Sequence, residues 1–128
     1  MANILIIDDD IDFAEALCAQ LKSAGHVAES ITDSEKAVSA CLAEKRPRDV
    51  IVVDLYMPRQ DGIQVISALR QSGITTPIIA ISGGGSIRFT KMLEVAKVLG
   101  ANASLAKPFS LSELLELVAK FATRENAA

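Results

Sequence analysis

The chain has 128 residues, half of them hydrophobic and only 4% aromatic, enough for one domain with an aliphatic core and too few for two. Its formal net charge of −3 argues against nucleic acid or an anionic membrane as a direct partner, and no apolar run approaches membrane-spanning length. The N-terminus lacks the charged flank and length of a signal peptide, so the expected location is cytoplasmic, while two cysteines and one histidine, widely separated, make no zinc site.

Asn3–Ile7 reads as an aliphatic strand closing on Asp8-Asp9-Asp10. A helix follows, with Phe13, Leu17 and Leu21 on its inner face, Ala14 and Cys18 beside them, and Gly25 at its end. Asp12 with Glu15 three residues on resembles a capping box, which leaves Asp10 as a loop acid. His26 reads as a surface loop residue. Residues 27–30 form a short, more polar strand suited to a sheet edge. Asp33-Ser34 caps a second helix with Ala37, Val38, Cys41 and Leu42 on one face; both cysteines read as small core residues. The basic cluster Lys45-Arg46-Pro47-Arg48 reads as a solvated turn.

Val50 to Val53 is an unbroken β-branched run, as expected for a strand covered on both faces of a parallel sheet, and Asp54 ends it. Taken alone, Asp54 reads equally as a ligand-binding residue or as a purely local one, a turn residue or helix cap. Pro58 fixes φ, and Gly62 permits a tight or left-handed bend into a third helix over about 62–72, with Ile63, Ile66 and Leu69 inward and Gly73 as its stop. A fourth strand over 78–81 ends at Ser82 and runs into Gly83-Gly84-Gly85. The fourth helix carries Phe89, Met92, Leu93, Ala96 and Leu99. A fifth strand, Ala103–Ala106, leads to Lys107-Pro108-Phe109. Ser110 and Glu113 form a capping box for the last helix, whose core side holds Leu111, Leu114, Leu115, Val118, Phe121 and Ala122. Residues 123–128 read as a frayed tail. Five strands alternating with five helices predict a single α/β domain over 1–128, core about 3–123. The expected architecture is a doubly wound parallel sheet of flavodoxin-like order.

In such sheets ligands bind at the C-terminal strand ends. Here those ends carry Asp8 and Asp9, Asp54, Ser82 and Lys107. Three converging carboxylates repel one another, and a divalent cation relieves the repulsion; all-oxygen ligation suits Mg²⁺ or Mn²⁺. A carboxylate beside that cation can act as a nucleophile towards phosphorus, giving an aspartyl phosphate. Lys107 and a Ser82 hydroxyl are placed to stabilise the transferring oxygens.

With its acidic pair after the first strand, Asp-Leu-Tyr-Met-Pro-Arg-Gln-Asp-Gly around Asp54, Ser82 and Lys107-Pro108-Phe109, the chain resembles a receiver domain of the two-component response regulators, over essentially its whole length. The resemblance implies that Asp54 accepts a phosphoryl group from a sensor histidine kinase or a histidine phosphotransfer protein. It implies direct Mg²⁺ ligation by Asp9, Asp54 and the Tyr56 backbone carbonyl, with Asp8 acting through a metal-bound water. Ser82 becomes the switch hydroxyl, Lys107 holds a phosphoryl oxygen, and the Lys107-Pro108 bond is cis. The output is a phosphorylation-dependent change in binding to a separate protein through the fourth helix, fifth strand and fifth helix, where Leu117 is a candidate contact.

Two departures stand out. Ser104 occupies the fifth-strand position where the family carries a rotating aromatic, and the interval from Ser82 to Lys107 is longer than the family pattern. With no DNA-binding or enzymatic output segment after residue 128, the reading is a stand-alone regulator rather than a metabolic enzyme. The alternatives are a phosphorelay intermediate, a phosphorylation-independent scaffold and, against the absence of a second aspartate two residues after Asp54, a Mg²⁺-dependent phosphohydrolase.

Overall fold

In the computed structural model, which describes residues 1–43, 47–57, 61–83 and 87–127 and all of their side chains except those of 87–90 and 123–127, strand and helix alternate from end to end. Strands β1 (Asn3–Ile7), β2 (Val27–Ile31), β3 (Val50–Asp54), β4 (Ile78–Ser82) and β5 (Ala103–Ala106) form one parallel sheet in the order β2-β1-β3-β4-β5. The helices are α1 (Ile11–Ser23), α2 (Ala37–Ala43), α3 (Gly62–Gln71), α4 (Ile87–Leu99) and α5 (Leu111–Ala127). The doubly wound, flavodoxin-like sheet expected from the sequence is the one observed, with β2 on an edge. No described helix is long and apolar enough to cross a membrane.

The unbroken aliphatic strands follow from two separate cores. Side chains alternate along a strand, and both faces of this sheet are covered. Ile4 and Ile6, Val50 and Val52, and Ile79 and Ile81 face α1 and α5, packing with Leu17, Leu21, Val118 and Phe121. Leu5 and Ile7, Ile51 and Val53, and Ile78 and Ala80 face the other way, against Val65, Ile66 and Leu69 of α3 and Ala96 of α4. Every residue of β3 and β4 is buried.

The helix ends are chemically specified. Helix α1 closes on Gly25 at φ +94, whose amide donates to the Lys22 carbonyl, and α3 closes on Gly73 at φ +83; neither conformation suits a residue with a Cβ. Arg70, in the last turn of α3, ties together two connections, the one from α3 to β4 and the one from α4 to β5. Its guanidinium donates to the Ile74, Thr76 and Gly100 carbonyls and to Asn102 Oδ1, at 2.7–3.2 Å. Asn102 Oδ1 in turn accepts the Ile78 amide. The ends of β4 and β5 away from the candidate site are thereby tied to α3.

Several local expectations need correction. Asp10, not Asp12, is the α1 N-cap: its carboxylate accepts the Phe13 amide at 3.1 Å, and Asp12 lies inside the first turn. Arg48 is not a solvated turn residue but is buried, pairing with Glu29 at 2.6 Å and reaching Asn3 Oδ1; Lys45 and Arg46 lie outside the described residues. His26 is half-buried, and its Nδ1 accepts the Ala2 amide; desolvation, then the N-terminal ammonium, lowers its pKa. Leu42 is exposed, because α2 has only seven residues and packs chiefly against α3. In α3, Val65 takes a fully buried place and Ile63 only a partial one. Residues 123–127 continue α5 rather than fraying, and Leu117 packs against the α1–α5 core. Pro58, Gly84 and Gly85 lie outside the described residues, as does the Phe89 side chain.

Candidate functional site

The strand alternation that builds the two cores also builds the site. Positions 4 and 6, 50 and 52, and 103 and 105 face the α1–α5 side. The ladder continues past β1 and β5, because the Asp8 amide donates to the Ile31 carbonyl and the Lys107 amide to the Ser82 carbonyl at 2.7 Å. One step of two residues therefore brings Asp8, Asp54 and Lys107 to the same side of the same sheet edge. Carboxylate oxygens of Asp8, Asp9 and Asp54 all lie within 4.8 Å of one another, a spacing at which one cation can be shared. The Lys107 Nζ is 3.6 Å from Asp8 Oδ2 and 3.6 Å from Asp54 Oδ2.

The acids differ in surroundings. Asp8 is 1% and Asp54 6% exposed, whereas Asp9 is more open to solvent. Asp8 accepts the Asp10 amide at 2.9 Å, and Asp54 accepts the Tyr56 amide at 3.1 Å. Burial, and then the charge of Asp8, push the Asp54 carboxyl up to about 6; the Tyr56 amide and Lys107 oppose the rise. One lysine does not offset three carboxylates, and the donor set is all oxygen. The residues present therefore fit a hard divalent cation such as Mg²⁺, which neutralises the cluster without demanding a full protein cage.

Ser82 is fully buried at the end of β4, one residue past Ile81, which pairs with Asp54. The Lys107-Pro108 peptide bond is cis, as the resemblance implied. Ser104 pairs with Ala80 and is half-buried on the α3–α4 side, so the position holds a small hydroxyl and not an open surface. The Tyr56 ring is 61% exposed beside the buried Asp54.

Of the tight or left-handed bend that the sequence allowed at Gly62, the structure has the tight one. Its φ is not positive. A Cβ there would overlap the Asp54 carbonyl oxygen and the Leu55 Cα, and its amide donates to the Leu55 carbonyl at 3.0 Å. Only a residue without a side chain lets α3 start this close to the end of β3. Asp61 N-caps α3 through the Gln64 amide; an aspartate directly before Gly62 and the apolar pattern of α3 was the available signal.

The sequence reading also missed the role of Phe13. Its ring lies under Lys107, with Nζ 4.0 Å from the centroid, and meets Phe109 edge-on at 6.3 Å. These three residues, with Leu17, Gln20, Gly83 and Leu111, line a cavity of about 530 Å³ beside the acidic cluster.

A family model described as the response regulator receiver domain matches residues 4–119. Among curated proteins, the response regulator MprA of Mycolicibacterium vanbaalenii is 37% identical over 114 residues, covering 88% of this chain and 47% of that protein. The swarming motility regulation protein RssB of Serratia marcescens is 35% identical over 119 residues, covering 91% of this chain and 51% of RssB. The chain thus spans about half the length of these curated relatives. Among solved structures, the Francisella response regulator 1452 receiver domain superposes with a TM-score of 0.86 at 30% identity, over 98% of this chain and 99% of that one. The Vibrio cholerae chemotaxis protein CheY4 gives 0.80 at 28% identity, over 94% and 98%.

Proposed function

Because this chain belongs to the response regulator receiver domain family of two-component signalling, we propose that Asp54 accepts a phosphoryl group from a histidine kinase or histidine phosphotransfer protein and that the resulting change alters binding to a separate partner. One observation carries the reading: a buried carboxylate at the end of the central strand, 3.6 Å from a lysine ammonium and clustered with two further acids.

At neutral pH a carboxyl titrating at about 6 is mostly ionised, and so nucleophilic. An Asp54 oxygen attacks phosphorus, the donor's P–N bond breaks, and the imidazole leaves with the bonding pair. Lys107 neutralises charge on the equatorial oxygens, and the Ser82 hydroxyl donates to one of them. Asp9, Asp54 and the Tyr56 carbonyl would hold Mg²⁺, with Asp8 in support, and the bound cation would supply charge neutralisation at the phosphoryl oxygens. Partner binding then responds to the new charge and acceptor oxygens. With Ser104 on β5, the coupling runs through Ser82 and the start of α4 without an aromatic rotor.

Intact mass after incubation with acetyl phosphate and Mg²⁺ tests this. The wild type gains one phosphoryl group, and Asp54→Asn, or omission of the metal, abolishes the gain. No adduct, with beryllofluoride also failing to bind, overturns the reading in favour of a scaffold.

The exposed Tyr56 ring hinders the water that hydrolyses the aspartyl phosphate, while its main-chain amide holds Asp54. Tyr56→Asn keeps the amide and removes the ring, so the expected result is a lifetime shortened about threefold to tenfold. Phosphate release after removal of the donor measures it, and an unchanged lifetime assigns the ring no such role.

A further inference from the structure

Lys107 is pulled two ways. Its ammonium stands 3.6 Å from both Asp8 and Asp54, longer than a direct charge-assisted hydrogen bond, and 4.0 Å from the centre of the Phe13 ring. A cation over an aromatic face is attracted by the ring quadrupole, more strongly where water is partly excluded. Lysine is otherwise a flexible stem carrying a point charge, and two carboxylates alone do not fix where that charge sits.

We propose that Phe13 is a positioning residue: its ring face holds the Lys107 ammonium between Asp8 and Asp54, in place to meet an incoming phosphoryl oxygen. The ring is itself fixed from both sides. The Asp8 carboxylate accepts the Asp10 amide, and the Asp10 carboxylate accepts the Phe13 amide, so the segment that supplies the acids also sets the aromatic. From the other side, Phe109, two residues past Lys107, meets the Phe13 ring at 87°. The links close a circuit from Asp8 through Asp10 and Phe13 to Lys107, and back to Asp8. Leucine at position 13 retains apolar packing against Phe109 and Leu17 but offers no π face.

The inference rests on the phosphoryl-acceptor reading for its chemical consequence, but its geometry is tested without phosphate. In the metal-free, unphosphorylated wild type, the Lys107 ε-methylene proton resonances are expected upfield of the other lysines because of the Phe13 ring current. Phe13→Leu removes that displacement, and Phe13→Tyr retains it. With acetyl phosphate and Mg²⁺, Phe13→Leu slows phosphorylation about threefold to tenfold, the size expected of a partly exposed cation–π contact, while Phe13→Tyr stays within about twofold of wild type. A role in packing alone moves the melting temperature and leaves the tyrosine–leucine contrast in rate absent. Undisplaced Lys107 resonances in the wild type, or equal rates for the two variants, overturn the proposal. Failure of the wild type both to gain phosphate and to bind beryllofluoride overturns the acceptor reading and leaves the resonance test standing.

Discussion

Gly62→Ala is expected to lower the melting temperature by about 10 °C, from a loss of about 3 kcal/mol. The added Cβ meets the carbonyl oxygen of Asp54 and the Cα of Leu55, both main-chain atoms of the segment leaving the central strand. No rotamer change relieves such a contact. Either α3 moves away from β3 and loses the bond from the Gly62 amide to the Leu55 carbonyl, or the end of β3 moves and takes Asp54 with it. Gly25 and Gly73 provide the contrast. Both have positive φ but open space where a Cβ would stand, so alanine there costs only the left-handed backbone penalty, about 1–2 kcal/mol. Thermal melts followed by circular dichroism rank the three. A Gly62→Ala chain melting no lower than Gly25→Ala would contradict the close approach of α3 to β3.

The second large effect is electrostatic. A carboxyl whose folded pKa lies above its unfolded value keeps its proton in the native chain over a range where the unfolded chain has lost it. Asp54, lifted from 3.8 to about 6 by burial and by Asp8, thus contributes stability that is fully present below about pH 4 and is lost as the pH rises through about 6. The full rise is worth at most about 3 kcal/mol, and residual solvent at the cleft mouth reduces the expected loss to about 1–2 kcal/mol. Asparagine imitates the protonated form. Asp54→Asn is therefore expected to match the wild type near pH 4 and to exceed it by about 1–2 kcal/mol at pH 7 without metal. Mg²⁺ at pH 7 raises the stability of the wild type by a similar amount and that of the variant by much less. Urea unfolding of both chains at the two pH values, with and without Mg²⁺, measures the difference. A variant no more stable than wild type at pH 7 counts against the strained cluster.

The fold was legible because each aliphatic run sits between helix patterns punctuated by Gly25, Gly73 and Gly100, so element order and sheet type followed with little ambiguity. The candidate site residues were legible because Asp8, Asp54, Ser82 and Lys107 all fall at strand ends. What escaped lies in contacts that a one-dimensional pattern does not distinguish. Asp10 and Asp12 are both plausible caps by composition, and only the entry angle of α1 decides between them. Arg48 sits in a basic run, yet its partner Glu29 belongs to a different strand. Phe13 fits the α1 core stripe, and nothing in its spacing marks the lysine 94 positions later that rests on its ring. Gly62 was recognised as necessary, but a steric demand and a conformational demand both read as glycine, and only its approach to Asp54 and Leu55 shows that the demand is steric.

The placement of Asp8, Asp54 and Lys107 on one side depends on strand phase, which has only two values. A single residue inserted within β5 would turn Lys107 to the α3–α4 side and leave the acids without their cation, whereas residues added between Ser82 and Ala103 leave the phase of β5 untouched as long as Ile79 still pairs with Ala103. The long interval from Ser82 to Lys107 in this chain is therefore compatible with an intact acidic site. Variation in connection length is harmless to the charge geometry there, while in the shortest strand of the sheet, four residues long, a change of a single residue reverses it.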